Sequence, residues 1–313
     1  MDKVILAGLN AEVSALGFGC ASLGSRVDAR RGTALVQEAF ERGITWFDLA
    51  PAYGAGQAEE IFASAMADRR DRLHICTKVG LLPPPQPVWK RALMPMARQV
   101  IGRVKPLRAR IRRSGVTRNR VVPLTPDLLR SSLEQSLIRL KTDYIDVYAL
   151  HNATTEALQD DDILRMLEDI RASGKVRTIA VASDQAAARQ VMVSGGAFGV
   201  VQLALSDLSS DIVYKAETAS MGLITHSVFG VNGALARAEA RLTQTPDLWT
   251  RLKDAGLAGA SEALLLQARL QNSHGVTLCS MMSPARLAAN GQIFETSYDS
   301  AVGTLVQELF DPP

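Results

Sequence analysis

Four side chains capable of acid–base chemistry lie at or just after the ends of three apolar segments. Asp48 ends the run ITWFD and Tyr53 follows it five residues later, Lys78 lies near the end of LHICTKVG, and His151 ends IDVYALH. Each residue alone could have a structural role. If the three segments are neighbouring strands, however, the buried charges need one another, because an unpaired buried Asp or Lys is costly. The positions therefore predict one shared site.

The chemistry that these four groups could perform together is proton donation to a carbonyl oxygen. A phenol has an ordinary pKa of about 10, which is too high for efficient proton donation near pH 7. An ammonium about 4 Å away attracts a phenolate by about 4 kcal/mol at an effective dielectric constant of about 20, so we expect Lys78 to lower the pKa of Tyr53 by about one to three units. Asp48 would keep Lys78 charged, and His151 would donate a hydrogen bond to the carbonyl oxygen. The four groups include no nucleophile and no metal site, which favours a hydride from a nicotinamide as the second reactant.

The segments that must position these residues alternate regularly between strand and helix. After a hairpin pattern around VILAGLNAEVSAL, we count eight units in which a β-branched run precedes a helical pattern. Eight such units predict an α/β fold, a single (β/α)8 TIM barrel domain over residues 1–313, with an N-terminal β-hairpin and long insertions after strands 3 and 7. An open dinucleotide-binding sheet is the alternative, suggested by GFGCASLG, but the glycines at 17, 19 and 24 do not form GxGxxG.

The first insertion, residues 81–123, is strongly basic. The chain has 35 Lys and Arg and 32 Asp and Glu, but eleven of the basic residues and no acidic ones lie between Val79 and Pro126, so the remainder has 24 basic and 32 acidic residues, a net charge of −8. Apolar residues recur in the insertion at spacings of three and four: Trp89, Leu93, Met96, Val100, Val104, Leu107 and Ile111. Three interpretations stay open: a lid on the barrel mouth, a lid that attracts an anionic substrate, and, as the weakest, contact of residues 86–120 with an acidic membrane surface. Nucleic acid is not an expected partner.

The sequence predicts a cytoplasmic protein, and it leaves the oligomeric state open, with a monomer favoured. The N-terminus has an early Asp and no apolar run of secretory length, and no stretch approaches about 18 uninterrupted apolar residues. The three cysteines, Cys20, Cys76 and Cys279, lie in apolar segments without CxxC spacing, which argues against a disulfide framework or a metal site. We expect them to be buried thiols.

Several motifs together resemble the aldo-keto reductase superfamily over roughly residues 13 to 294. They are GITWFDLAPAYGAGQAEE, CTKVG, SLEQSLIRLKTDYIDVYALH and GKVRTIAVAS. The resemblance implies an NAD(P)H-dependent carbonyl reductase on a (β/α)8 barrel. It also implies that Asp48, Tyr53, Lys78 and His151 are the family's catalytic tetrad, with the tyrosine as proton donor.

The resemblance further implies a binding site for NADP(H), with NAD(H) left open. The implied cofactor-binding residues are Ser183, Asp184, Gln202, His226, Ser227, Gly230, Ser280, Arg286 and Asn290. Asp184 stands where the family usually has an asparagine that binds the nicotinamide carboxamide, and His226 stands where a larger aromatic ring stacks. Ser280 replaces a lysine, and Arg286 and Asn290 match positions that contact the 2′-phosphate and the adenine.

Two classes of function follow from these observations. The first is an NAD(P)-dependent oxidoreductase of the class EC 1.1.1.-, with Tyr53 as general acid, that reduces an aldehyde, ketone or sugar carbonyl or oxidises the corresponding alcohol or hemiacetal. Its substrate would be a small carbonyl compound, with an anionic or sugar-like one as an alternative suggested by the basic insertion. The second is a catalytically slow barrel that senses the redox state of the nicotinamide.

Overall fold

Eight parallel strands form a closed barrel, which confirms the predicted fold class. The computed structural model describes residues 1–83, 119–230 and 233–310. The strands are β1 (Lys3–Leu6), β2 (Ala11–Ser14), β3 (Leu16–Gly19), β4 (Trp46–Asp48), β5 (His74–Val79), β6 (Leu81–Leu82), β7 (Arg120–Val121), β8 (Ile145–His151), β9 (Val176–Ala182), β10 (Phe198–Ala204), β11 (Gly222–His226) and β12 (Val276–Cys279). Around the barrel the order is β10, β11, β12, β3, β4, β5, β8 and β9.

Helices cover the outside of this barrel. They are α1 (Ala29–Glu41), α2 (Gln57–Met66), α3 (Pro126–Leu140), α4 (Asp161–Ala172), α5 (Gln185–Ser194), α6 (Ser210–Thr218), α7 (Ala234–Gln244), α8 (Pro246–Asp254), α9 (Ala260–Gln271), α10 (Pro284–Glu295) and α11 (Ser300–Phe310). The start of α3 shows how the sequence sets a boundary: Thr125 accepts a hydrogen bond from the backbone N–H of Leu128, and Pro126 occupies the first turn. Both residue types are typical of these positions at a helix N-terminus.

The two faces of each barrel strand are buried in different cores. Inward-facing residues such as Trp46, Cys76 and Val147 form one cluster inside the barrel, and a larger cluster fills the space between strands and helices. The antiparallel pair β1 and β2 closes the barrel at the N-terminal ends of its strands, where Leu6 and Val13 join the inner cluster. Burial on both faces explains why the strands are apolar throughout.

The insertions leave the barrel after β5 and after β11. Strands β6 and β7 pair in antiparallel fashion where the first insertion begins and ends, and helices α7 and α8 occupy the second. The apolar stripe from Trp89 to Ile111 lies outside the described residues. The same holds for residues 86 to 118 of the segment 86–120, for which contact with a membrane surface was one interpretation. Cys20, Cys76 and Cys279 are buried free thiols, as predicted.

None of the helices in the described part of the chain combines the length and the apolarity that crossing a membrane would require.

The closure of the barrel by the N-terminal hairpin depends on a close backbone approach at Gly222, and this dependence can be tested. A Cβ atom at Gly222 would lie 2.5 Å from the carbonyl oxygen of Ala7 and 2.8 Å from the side chain of Leu6. We expect Gly222→Ala to lower the free energy of unfolding by about 1–3 kcal/mol, as overpacking does. Urea unfolding measures this. Gly259→Ala is the control, because nothing lies within 4 Å of its Cβ position and its φ of 178° is extended; equal stability changes in the two variants would contradict the prediction.

Candidate active site

The four predicted acid–base residues line one cavity at the C-terminal mouth of the barrel. Asp48 ends β4, Lys78 lies in β5, and His151 ends β8, so neighbouring parallel strands bring the three side chains to the same end. Tyr53 lies in the 3-10 turn Tyr53–Gly56 that follows β4. The cavity has a volume of about 720 Å³ and is lined by all four residues.

The centre of the site is a buried ion pair. Lys78 and Asp48 are only 1% and 3% exposed, and the Lys78 Nζ atom donates a hydrogen bond of 2.6 Å to Asp48 Oδ1 and one of 3.0 Å to the carbonyl oxygen of Leu49. The register explains the pairing: Asp48 lies beside Cys76, and residues 76 and 78 point to the same face of β5. Burial acts to lower the pKa of Lys78, but the charges of Asp48 and Tyr53 outweigh burial and raise it, so Lys78 stays an ammonium.

The pKa of Tyr53 differs from the sequence-based expectation. Burial raises it to about 12, and although the charge of Lys78 and a side-chain hydrogen bond with it lower the pKa, Asp48 raises it again. The expected net decrease is therefore wrong, because desolvation of the phenolate exceeds the attraction of the ammonium. Lys78 Nζ lies 5.3 Å from the centre of the Tyr53 ring. Tyr53 consequently keeps its proton at neutral pH.

His151 faces Tyr53 across the mouth as a neutral ring. Burial lowers the pKa of His151 to about 3, with further lowering by the charge of Lys78 and by His226. The rings of His151 and Tyr53 meet edge to face with their centres 6.4 Å apart. The Nδ1 atom of His151 is buried and has no hydrogen-bond partner among the described residues. A neutral imidazole carries one N–H donor, so His151 can donate to a ligand oxygen without adding a charge.

The turn that presents Tyr53 has an unusual backbone. Gly54, Ala55 and Gly56 all have positive φ, at 57°, 57° and 88°. At Gly54 a Cβ atom would lie 2.5 Å from the carbonyl oxygen of Leu23, so this position also lacks space for a side chain. Ala55 pays a conformational penalty in this region. The surrounding structure must therefore hold the turn, and Tyr53 with it, in place.

The polar residues beside the tetrad offer partners for an amide group. Gln202 is buried; its Nε2 donates to Asp48 Oδ1 at 3.3 Å, while its Oε1 has no partner among the described residues. The Ser183 hydroxyl donates to the carbonyl oxygen of Ala153 at 2.9 Å. Asp184 is exposed and caps α5 by accepting from the N–H of Ala187 at 3.0 Å. Gln202 Oε1 can therefore accept a hydrogen bond from the N–H of a carboxamide. Asp184 has no side-chain N–H that could donate to the carboxamide oxygen.

Other residues that line the cavity offer groups suited to phosphate. His226 Nδ1 and the Ser227 hydroxyl are 2.8 Å apart, and Gly230 and Ser280 also line the cavity; the Ser280 hydroxyl donates to the carbonyl oxygen of Gly19 at 3.3 Å. Arg286 lines the same cavity from the first turn of α10. A helix N-terminus and an exposed guanidinium both favour anions. Asn290, one turn further along α10, is not among the residues that line the cavity.

Several cavity residues were missed by the sequence reasoning. They include Arg26, Asn152 and Asp207. All of them follow barrel strands, so the rule that loops after strands form the mouth could have found Arg26 and Asn152. Glu59 was also missed. It is fully buried, three residues before the buried Phe62 on the apolar face of α2, and that helical spacing was the available signal.

The fold places this protein among the (β/α)8 barrels, and polar side chains line a cavity at the C-terminal mouth of the barrel. The aldo/keto reductase family model matches residues 15–301. The chain therefore belongs to the aldo/keto reductase family.

Its relatives are distant in sequence. Among them are the aldo-keto reductase YhdN of Bacillus subtilis (strain 168), 28% identical over 189 residues that cover 58% of this chain and 47% of the relative, and the D-threo-aldose 1-dehydrogenase of Pseudomonas sp, 27% identical over 322 residues that cover 90% and 89%. The chain spans about half the length of several curated relatives that it matches.

Solved structures share the fold. The aldo-keto reductase AKR11C1 from Bacillus halodurans in its holo form aligns with a TM-score of 0.72 at 20% identity, covering 99% of this chain and 96% of that one. An aldo-keto reductase from Klebsiella pneumoniae in complex with NADPH aligns with a TM-score of 0.69 at 20% identity, covering 100% and 97%. At this identity the likeness supports the fold of the chain.

Acidification should destabilise the protein through His151. Its pKa is lowered from 6.5 to about 3, so between these values the unfolded chain binds a proton that the folded chain does not, and stability falls as the pH drops below about 6.5. At pH 5 this loss is roughly 2 kcal/mol. We expect His151→Gln to lose less unfolding free energy than the wild type between pH 7 and pH 5, measured by urea unfolding. Equal losses in both proteins would contradict the assignment.

Proposed function

We propose that this chain is a nicotinamide-dependent oxidoreductase that reduces the carbonyl group of a small aldehyde, ketone or sugar, or oxidises the corresponding alcohol or hemiacetal. The observation that carries the proposal is the buried Lys78 and Asp48 pair beside Tyr53, in one cavity with His151. Membership of the aldo/keto reductase family supports it.

In this proposal Tyr53 and His151 act on the carbonyl oxygen. His151 donates a hydrogen bond that orients the oxygen and polarises the bond, and Tyr53 transfers its proton to that oxygen. Reduced nicotinamide, when bound, supplies the hydride that the carbonyl carbon accepts. Lys78 then limits the cost of the phenolate left on Tyr53, and Asp48 keeps Lys78 charged and directed at it. In the oxidative direction the same proton returns to Tyr53.

The cofactor in this proposal is NADP(H), with NAD(H) as the alternative. Gln202 Oε1 and Ser183 would hold the carboxamide, and His226 would lie against the nicotinamide ring. Residues 227–230 would run along the diphosphate. Arg286 would bind the 2′-phosphate near the N-terminus of α10. The NADPH complex of the Klebsiella pneumoniae relative supports this assignment.

The names of two relatives and two carboxylates in the cavity support a proposal for the substrate class. D-threo-aldose 1-dehydrogenase and an NADH-specific methylglyoxal reductase of Escherichia coli (strain K12), which matches at 24% identity, act by their names on a sugar and on a small carbonyl compound. Asp184 and Asp207 line the cavity, and carboxylates are suitable acceptors for hydroxyl groups. A sugar or small hydroxylated aldehyde is therefore the substrate class that we propose to test first.

A second candidate is a slow, nicotinamide-sensing barrel. The observation in its favour is Asp184, whose carboxylate is engaged in capping α5 where the resemblance implies an amide donor to the cofactor. Such a protein would bind NADPH tightly but would show no turnover that depends on Tyr53.

Removal of the Tyr53 hydroxyl tests the first candidate. We expect Tyr53→Phe to lower kcat for carbonyl reduction about 10²- to 10⁴-fold, because the general acid is lost, while NADPH binding changes little. Cofactor oxidation at 340 nm with a panel of aldehydes and sugars measures turnover, and quenching of protein fluorescence measures binding. Tyr148→Phe is the matched control, since Tyr148 is a buried tyrosine outside the cavity. Equal kcat in Tyr53→Phe and wild type would refute the proposed role.

Removal of the Arg286 guanidinium tests the cofactor assignment. We expect Arg286→Ala to weaken NADPH binding by about tenfold or more and to leave NADH binding within about twofold, because only NADPH carries the 2′-phosphate. Fluorescence titration with each cofactor gives both dissociation constants. Arg171→Ala, on the exposed surface of α4, is the control. A parallel loss for both cofactors would show that Arg286 does not read the 2′-phosphate.

A further inference from the structure

A second buried carboxylate lies behind the active site, outside the cavity lining. Glu59 on α2 is fully buried, and each of its two oxygens accepts a short hydrogen bond. The Thr77 hydroxyl of β5 donates to Oε1 at 2.7 Å, and Arg139 Nε of α3 donates to Oε2 at 2.5 Å. Arg139 also donates to the Ser136 hydroxyl at 3.3 Å. One side chain therefore joins α2, β5 and α3.

The residues that Glu59 connects are close in the chain to both Tyr53 and Lys78. Thr77 immediately precedes Lys78 in β5. Glu59 lies in the first turn of α2, which begins directly after the turn that carries Tyr53. Arg139 reaches the end of that turn, because its Cδ atom is 3.4 Å from the Cβ position of Gly56. Glu59 is thus connected through Thr77 to the strand that carries Lys78, and through the start of α2 to the turn that carries Tyr53.

A buried ion pair is a poor device for stability alone. Desolvation offsets much of the attraction, and well-packed apolar residues would stabilise the same contact at least as well. Directional bonds, in contrast, fix orientation. The turn from Tyr53 to Gly56 needs such support, because its last three residues have left-handed backbone conformations.

We propose that Glu59 is a positioning residue, which through its bond to Thr77 holds the first turn of α2, and with it Tyr53, at the working distance from Lys78. This inference rests on the proposed function of Tyr53 as proton donor. Glu59 itself is not among the residues that line the cavity, and it acts through Thr77 and through the turn.

Thr77→Val is the sharpest test, because it removes only the hydroxyl and keeps the shape of the side chain. We expect kcat for carbonyl reduction to fall about tenfold or more, since misplacement by a fraction of an ångström is enough to slow proton transfer. The Kd for NADPH and the KM for the carbonyl substrate should change less than about twofold. The solvent deuterium isotope effect on kcat should increase as proton transfer becomes slower. Thr77→Ser, which retains the hydroxyl, should restore kcat to within about threefold of wild type.

Two matched controls separate positioning from general stability. Tyr148→Phe also removes a buried hydroxyl that links a strand to a helix, since Tyr148 of β8 donates to the carbonyl oxygen of Leu129 in α3 at 2.9 Å. Asp146→Ala matches Glu59→Ala: Asp146 is a fully buried carboxylate that accepts from Arg70 at 2.6 Å and from the Ile75 N–H at 2.9 Å, at the opposite end of β5. Tyr148→Phe should lower Tm about as much as Thr77→Val, and Asp146→Ala about as much as Glu59→Ala. Both controls should keep kcat near the wild-type value.

The outcomes are distinguishable. A kcat loss with a larger isotope effect in Thr77→Val, rescued by Thr77→Ser and not seen in Tyr148→Phe, supports the inference. Either of two results overturns the inference: an unchanged kcat in Thr77→Val, or equal kcat losses in Glu59→Ala and Asp146→Ala. If Tyr53→Phe is inactive, the proposed function remains intact in both cases. An active Tyr53→Phe variant defeats the proposed function itself, and this inference with it.

Discussion

The buried pair of Lys78 and Asp48 is the interaction on which the rest of the site depends. Both side chains are almost fully buried inside the barrel, and removing one partner of such a pair typically costs about 3–5 kcal/mol, because the other is left as an uncompensated charge. The parallel register of β4 and β5 provides the geometry, and the Leu49 carbonyl and Gln202 complete the hydrogen bonding. The barrel thus holds a permanent positive charge beneath its mouth, next to Tyr53.

The protonation state of Tyr53 reflects a balance between burial and that charge. Burial makes the phenolate unfavourable and raises the pKa to about 12, whereas Lys78 partly offsets the effect. The tyrosine therefore stays protonated at neutral pH. His151 complements it as a neutral donor, since burial and the same ammonium lower its pKa to about 3. The charge of Lys78 thus acts to lower the pKa of both Tyr53 and His151, and both effects suit chemistry at a carbonyl oxygen.

The cavity lining combines groups suited to an amide with a group suited to an anion. It presents an amide oxygen on Gln202 that has no partner among the described residues, the exposed carboxylate of Asp184, and Arg286 at the start of α10. A ligand that carries both an amide and an anionic group would match this lining. Asp184 and Ser280 depart from the residues that the family resemblance leads one to expect. They are the positions at which this chain's handling of its cofactor would differ.

The sequence by itself determined the periodic alternation of eight strands and helices, the capped start of α3 at Thr125, and the positions of acid–base side chains at strand ends, because these depend on local spacing and side-chain chemistry. Only the tertiary structure decided the sign of the pKa shift of Tyr53, since desolvation depends on atoms contributed by the whole barrel mouth. It also decided that Glu59 joins β5 to α3, a contact between residues 18 and 80 positions apart in the chain. Local patterns fix which face a residue occupies, but the partner it meets across that face is set by the closure of the barrel.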